Sequence, residues 1–345
     1  MSVSLSYTGK KTAAVIGAGL AGAACARALI ARGFSVTLFD KGRGPGGRLS
    51  TRRAMIGEKE HRFDHGAQYL TARTDSFARF MADAERAGAA SPWQGRLERQ
   101  RAGSREPLCG AAESLWVGAG GMNAIVKHAL TGLDVRFAAR AETLQQGADG
   151  WTILFEDGGK AGPFDRVAVA IPAPQASALF ASAGEPAAEL AREAATARMA
   201  PCFAVMAAYD AGFEAGFDGL KLDEGEALSW AARVGSRPGA DRSHPGWVLH
   251  AGPNWSARQV DADKTEIASL VLAEFSRLSG APAPVWTRVH RWLYAFVENA
   301  AESPFGLSAD KSLGAAGDWR LGPRAEHAWT SGLALGEALA GSAQG

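Results

Sequence analysis

Gly17, Gly19 and Gly22 close a short apolar run, 12–16, and open a small-residue segment, 21–32. A carboxylate, Asp40, ends a second apolar run at 36–39. Each glycine has its own task. The first allows a sharp turn out of a strand, the second lets backbone approach a pyrophosphate, and the third lets a helix pack close to a sheet. The helix start at Leu20 and Ala21 offers free N–H groups and a positive dipole end to the phosphates. Asp40 can accept hydrogen bonds from ribose hydroxyls, and its charge disfavours a 2′-phosphate. Strand, glycine turn, helix, strand and acid together predict a dinucleotide site.

Lys41, Arg43 and Arg48 follow at once, set among Gly42, Gly44, Gly46 and Gly47, and then come Thr51 and Arg52. So many glycines exclude a regular helix there. A loop of this composition can wrap a phosphate and a flavin edge with backbone N–H groups and guanidinium forks. Asp64 and Tyr69 bracket His65, Gly66, Ala67 and Gln68. At the far end, a glycine-rich apolar run, 313–317, delivers Gly317 and Asp318. Glu326, Ala328, Trp329, Ser331 and Gly332 then open a helix running to 340. Its positive N-terminus would favour negative charge on a ligand placed there.

Arg43, Gly46, Gly47, Arg48 and Thr51 resemble the arginine–glycine signature of the amine-oxidase group of flavoproteins. That resemblance implies FAD. It implies that His65, Gly66, Ala67 and Gln68 lie over the flavin and that Asp318 binds its ribityl–pyrophosphate side. It also implies that the last helix, with Ala328, Trp329 and Ser331, points at the N1–C2=O edge of the ring. No cysteine follows Cys202, so a C-terminal cysteinyl flavin link is not expected and the FAD is read as non-covalent.

The second half supplies Trp230, Arg233, His250, Trp255, His290, Arg291, Trp292 and Tyr294, a set suited to a flat, partly charged substrate. The blocks 247–251, 255–256 and 290–295, together with 48–52, 64–69, 172–175 and 326–332, are similar to bacterial renalase-like flavoproteins. This narrower resemblance implies a fold like p-hydroxybenzoate hydroxylase. It implies oxidation of the 2- and 6-dihydro isomers of NAD(P), with O2 as the final acceptor and H2O2 as product. By it, His250 and Trp292 face the substrate. No base is required, because loss of hydride from a dihydronicotinamide leaves an aromatic cation. The stretch after Tyr294, 295–299, departs from the proline- and alanine-rich turn expected of such relatives. Two alternatives stay open: a flavin amine oxidase or desaturase acting on a small amine or a C–C bond, and a non-catalytic flavoprotein or redox sensor. Lys264 and Lys311 are the only late lysines, and neither lies in a flavin motif.

These motifs need elements to hold them. The expected class is α/β: a Rossmann-type FAD-binding domain with a second, α+β substrate domain on a mixed or antiparallel sheet. The flavin domain is expected at 1–71, 111–174 and 295–345, and the substrate domain at 72–110 and 175–294, with an exit at 172–175. Helices are expected at 75–88, 123–130, 189–198 and 263–278. Strands are expected at 134–137, 151–155, 166–171, 202–209, 227–233, 247–251 and 285–294. A second glycine loop at 118–122 reads as a helix start, since Asn123 stands where a third glycine would be needed. The 345 residues suffice for two domains. With 37 basic and 36 acidic residues, nothing draws the chain to nucleic acid or an anionic membrane. Glycines and Arg27 interrupt 12–30, which is a βα unit rather than a membrane span. No signal-peptide pattern precedes it, and Cys25, Cys109 and Cys202 have neither disulfide nor metal spacing, so a cytoplasmic protein without a metal is expected. The oligomeric state is open between monomer and dimer.

Overall fold

A computed structural model describes residues 10–110, 113–210, 213–223, 225–241, 244 and 246–341. The first apolar run forms β1 (Thr12–Ile16), the small-residue segment α1 (Leu20–Ala31) and the second run β2 (Ser35–Phe39). They belong to a six-stranded sheet in the order Gly306–Leu307, Leu313–Ala315, Arg166–Val169, β1, β2, Asp134–Arg136. All neighbours are parallel except the Gly306–Leu307 edge. Parallel strands covered on both faces need continuous apolar runs, and Ala13, Ala14, Val15 and Ile16 are all buried.

The C-terminal helix, Ala325–Ala340, lies along α1. The close approach demands glycine: a Cβ on Gly332 would sit 2.0 Å from the Ala21 carbonyl oxygen. Gly22 is equally constrained, its Cβ position being 1.8 Å from the Gly17 oxygen. The opposite face of the sheet is covered by the antiparallel strands Ala141–Gly147, Gly150–Phe155 and Lys160–Phe164 and by helices Ala173–Ser182 and Ala188–Thr196. Pro172, where the sequence suggests an exit, instead caps the first of these helices. Its Ala173, Ala176 and Phe180 bury against Ile16 and Val169, so the chain, having already given 97–107 to the second sheet, returns to it with Arg198–Ala208.

That second sheet has seven strands, in the order Trp286–Asn299, Arg198–Ala208, Gly246–His250, Trp230–Arg233, Gly219–Leu222, Leu97–Arg101, Ser104–Pro107. Its pairs are antiparallel apart from Gly219–Leu222 with Leu97–Arg101. Helix Lys264–Ser279, capped by the Asp263 carboxylate, buries Ile267, Val271 and Phe275 on one face against Phe203, Val205 and Trp247. The other face, through Met206, Ala208 and Val248, receives a hairpin of β3 (Thr51–Ile56) and β4 (Lys59–Asp64) by way of Phe63. Helix α2 (Asp75–Arg86) packs Phe77 and Phe80 against Trp329. The strand expected to end at 294 runs on to Asn299. Two extra residues bulge out between Trp292 and Phe296, where Cys202 pairs with Trp292 and Ala200 with Phe296. Among the described residues no helix is long and apolar enough to cross a membrane, no metal-binding group of side chains occurs, and the three cysteines are free.

Candidate active site

At the dinucleotide end, Gly17 has φ +104° and its N–H donates to the Phe39 carbonyl, closing β1 onto β2. The two Asp40 oxygens accept from the N–H groups of Ala18 (2.8 Å) and Gly42 (2.7 Å), which ties the acid to both turns. Lys41, Arg43 and Gly47 are exposed on the loop. Arg48 turns inward and forks onto Asp318 at 2.6 and 2.7 Å, joining the two glycine motifs from opposite chain ends. Ser331 Oγ accepts from the Gly317 N–H at 2.9 Å and seats the last helix beneath that turn. Ala328 is half-buried in the same helix. The Trp329 ring stacks on Phe80 with centroids 4.2 Å apart, so its ring lies in the core.

Buried polar atoms are hydrogen-bonded as a rule. Three at the start of the last helix are not: His327 Nδ1, Trp329 Nε1 and Thr330 Oγ1. Trp329 Nε1 lies in the core with its ring, while the last helix follows Asp318 and packs on α1, so the polar groups left unpartnered in its first turns fit a bound flavin dinucleotide.

The segment after β4 links this groove to the second sheet. Asp64 Oδ1 accepts from the Met122 N–H (2.8 Å) and the Thr51 hydroxyl (2.6 Å). Gln68 Nε2 donates to the Asp64 and Gly66 carbonyls, folding the segment on itself. The buried Arg237 guanidinium donates to the Gln68 carbonyl (2.9 Å) and to Gln68 Oε1 (2.7 Å), lies 3.5 Å from Asp64, and sits 4.6 Å over the Trp93 ring. Trp230 Nε1 donates to the same Gln68 Oε1 at 3.2 Å.

Opposite this segment the second sheet presents a row. Trp230 pairs with His250, His250 with Ala204, and Ala204 with His290, so their side chains share one face. His290 meets His65 edge-on at 4.8 Å, and Trp292 stacks on His65 at 5.2 Å and 26°. Trp292 Nε1 donates to the His65 carbonyl at 2.9 Å. A Cβ on Gly66 would meet the Arg48 carbonyl at 2.0 Å and the Trp292 ring at 3.4 Å, which explains the glycine. The bulge beside Trp292 brings the Ala295 carbonyl within 3.4 Å of Arg48. Bulges often re-aim a strand next to active sites.

All three histidines are held neutral. Burial, then His290 and Arg52, push His65 down to about 3. Burial lowers His250 to about 4, with Arg237 adding to it. Burial, Arg52 and Lys264 lower His290 to about 4. His65 Nδ1 and His250 Nε2 are buried without partners. Cys202, across from Trp292, has its thiol pushed up to about 12 by burial and stays protonated.

The structure therefore gathers His65, Gly66, Gln68, Trp230, His250, His290 and Trp292. It does not bring Trp255, Arg233 or Arg291 to them. Trp255 packs in the core against Phe203, Arg233 pairs with Asp218 at 2.9 Å, and Arg291 binds the Val260 carbonyl. Sequence reasoning missed Arg237, which follows a one-turn helix, Val234–Ser236, and belongs to no motif spacing.

A family model described as flavin containing amine oxidoreductase matches residues 88–319, and one described as an NAD(P)-binding Rossmann-like domain matches residues 15–84. Similar solved structures include reduced UDP-galactopyranose mutase, with 11% identity, TM-score 0.73, and coverage of 98% of this chain and 97% of that one. A double mutant of putrescine oxidase gives 13%, 0.70, 95% and 99% in the same order. Cyclohexylamine oxidase from Brevibacterium oxydans IH-35A gives 12%, 0.69, 96% and 99%. At such identities these likenesses are of fold. The first match spans well over half the chain, and the protein belongs to the flavin containing amine oxidoreductases. It is an FAD-dependent oxidoreductase of the amine-oxidase superfamily. The non-catalytic alternative is thereby set aside.

Proposed function

We propose that this flavin containing amine oxidoreductase removes a hydride from a carbon bonded to nitrogen, in an amine-type donor laid against Trp292. The chemistry FAD supplies when bound is acceptance of that hydride, with the electron pair passed on to O2 as H2O2. The observation that carries the reading is the neutral layer of His65, His250 and His290 around Trp292. A nitrogen lone pair must be free to push the hydride out, and a layer with no carboxylate to trap an ammonium favours the neutral amine. Trp292 supplies a flat face for the donor, Gly66 lets that ring pack down onto the 64–68 segment, and Arg237 fixes the segment through Gln68.

A second reading shares this chemistry. The 2- and 6-dihydronicotinamides also carry their hydride on a carbon next to nitrogen, and their product is an aromatic cation. Their oxidation needs no base, which suits a layer whose titratable groups His65, His250 and His290 have no acidic partner to help them take up a proton. The test is anaerobic mixing of holoenzyme with small primary amines and, separately, with 2- and 6-dihydro-NAD(P), following loss of the oxidised-flavin band. Rapid bleaching by either class supports hydride removal next to nitrogen and says which donor is used. A flavin reduced by neither class overturns the proposal.

A further inference from the structure

Trp286, Arg288, His290 and Trp292 occupy alternate positions of one strand in unbroken register with Arg198–Ala208, so they share a face. Across from them stands the β3–β4 hairpin, where Arg52 pairs with Phe63 and the two side chains share a face as well. Phe63 stacks on Trp286 at 5.2 Å and 23°, and His65 stacks on Trp292. Arg52 is thus set opposite Arg288, between two aromatic contacts that fix the spacing of the layers.

Two guanidiniums facing each other repel, and an anion between them relieves that repulsion. Among the described residues no carboxylate forms an ion pair with Arg52 or Arg288. Arg52 Nε is buried without a hydrogen-bond partner, and burial first, then Arg288, lowers the proton affinity of Arg52. The histidines between them are neutral and add no negative charge. The nearby carboxylates of the loop before helix Lys264–Ser279 are turned elsewhere. Asp263 caps that helix through the Thr265 N–H, and Asp261 lies 3.8 Å from Arg291. Lys264 adds a third cation close to His290.

We infer that Arg52 and Arg288 form a subsite for an anionic group of the substrate, a carboxylate or a phosphate, beside the reacting end at Trp292. The inference rests on the proposed hydride-donor site and names the class of donor that enters it. The substrate is an anion-bearing nitrogen compound, and a diamine is rejected by the same two charges. Guanidinium forks suit either anion, so the two sources must be separated by experiment.

The probes are matched pairs that differ by one negative charge: nicotinate against nicotinamide for the carboxylate, and nicotinamide mononucleotide against nicotinamide riboside for the phosphate. Each is titrated into oxidised holoenzyme, reading the shift of the flavin absorption band, so no turnover is needed. In at least one pair the anion should bind about tenfold or more tightly. That advantage should disappear in Arg52→Gln and in Arg288→Gln and be partly kept in Arg52→Lys. Arg288 is exposed, so its variant tests the subsite without disturbing the core. Equal binding within both pairs, or an advantage that survives both glutamine variants, overturns the inference. Anion binding in an enzyme that no nitrogen donor reduces would instead sink the proposed function and leave the subsite standing.

Discussion

Arg237→Gln should cost stability and activity together, because one guanidinium holds the segment that joins the flavin groove to the second sheet. The residue is 7% exposed, and its side chain makes two hydrogen bonds to Gln68 and a close contact with Asp64. Removing one partner of a buried ionic network costs about 3–5 kcal/mol. Two contacts soften the loss here. Trp230 still donates to Gln68 Oε1, and Asp64 keeps the Met122 N–H and the Thr51 hydroxyl. The expected value is therefore the lower end, about 3 kcal/mol, read as the unfolding free energy of the holoenzyme in urea. Because His65 and Gly66 lie in the same folded segment, anaerobic flavin reduction should slow by about tenfold or more as the donor loses its alignment. Arg237→Lys keeps the charge but not the fork and should fall between. A double-mutant cycle with Gln68→Ala should show strong coupling, since the two residues share two hydrogen bonds. An Arg237→Gln enzyme within about 0.5 kcal/mol of wild type, reduced at the wild-type rate, would refute the reasoning.

Asp318→Ala strips Arg48 of its partner and should weaken FAD retention by about 1.5–3 kcal/mol, measured as flavin content after dialysis; undiminished flavin would count against the joint role of the pair. Trp292→Ala should slow flavin reduction while flavin content stays near normal, because the ring contacts His65 and Gly66 rather than the dinucleotide turn; a mutant that loses only thermal stability would make Trp292 a packing residue. His65, His250 and His290 have native values of about 3, 4 and 4 against an ordinary 6.5, so they stay neutral where the unfolded chain takes up protons. Their stabilisation is complete above pH 6.5 and is lost as pH falls from there toward about 4, and the melting temperature should drop across that window and more shallowly in His250→Asn. A melting temperature flat over the same range would show that the histidines are not held neutral.

The dinucleotide half was legible because its constraints are local. Gly17, Gly22 and Asp40 act within one βαβ unit, and each position is dictated by a turn, a carbonyl contact or a backbone N–H reachable from its neighbours. The last helix was legible for the same reason, its glycines being read together with Asp318. The second sheet was harder. His250 and Trp292 were expected at the substrate, yet so were Trp255, Arg233 and Arg291, which fold into core or surface contacts. What separates the two groups is strand register and face. Trp292 and Arg291 are adjacent in sequence and point to opposite sides. Arg237 was illegible altogether: its partners Gln68 and Asp64 are reached only when the hairpin docks on the sheet.

That docking also explains why the candidate cofactor groove and the proposed donor layer are built as one object. Arg48 leaves the glycine loop, forks onto Asp318, and gives its own carbonyl to the Ala67 N–H at 2.8 Å. Gly66, pressed against that carbonyl, lets Trp292 come down on His65. Trp292 in turn sits at the bulge that carries Ala295 back to Arg48. The circuit closes through the Arg48 side chain and backbone, so a displacement of the flavin-side fork is carried to the donor-side tryptophan through one residue at each step. A change at Asp318 should therefore be felt in donor binding as well as in flavin retention. Trp292 touches neither Asp318 nor the dinucleotide turn, so its loss should disturb flavin retention less than the loss of Asp318 does. A graded response at both ends distinguishes a shared scaffold from two sites that merely lie side by side.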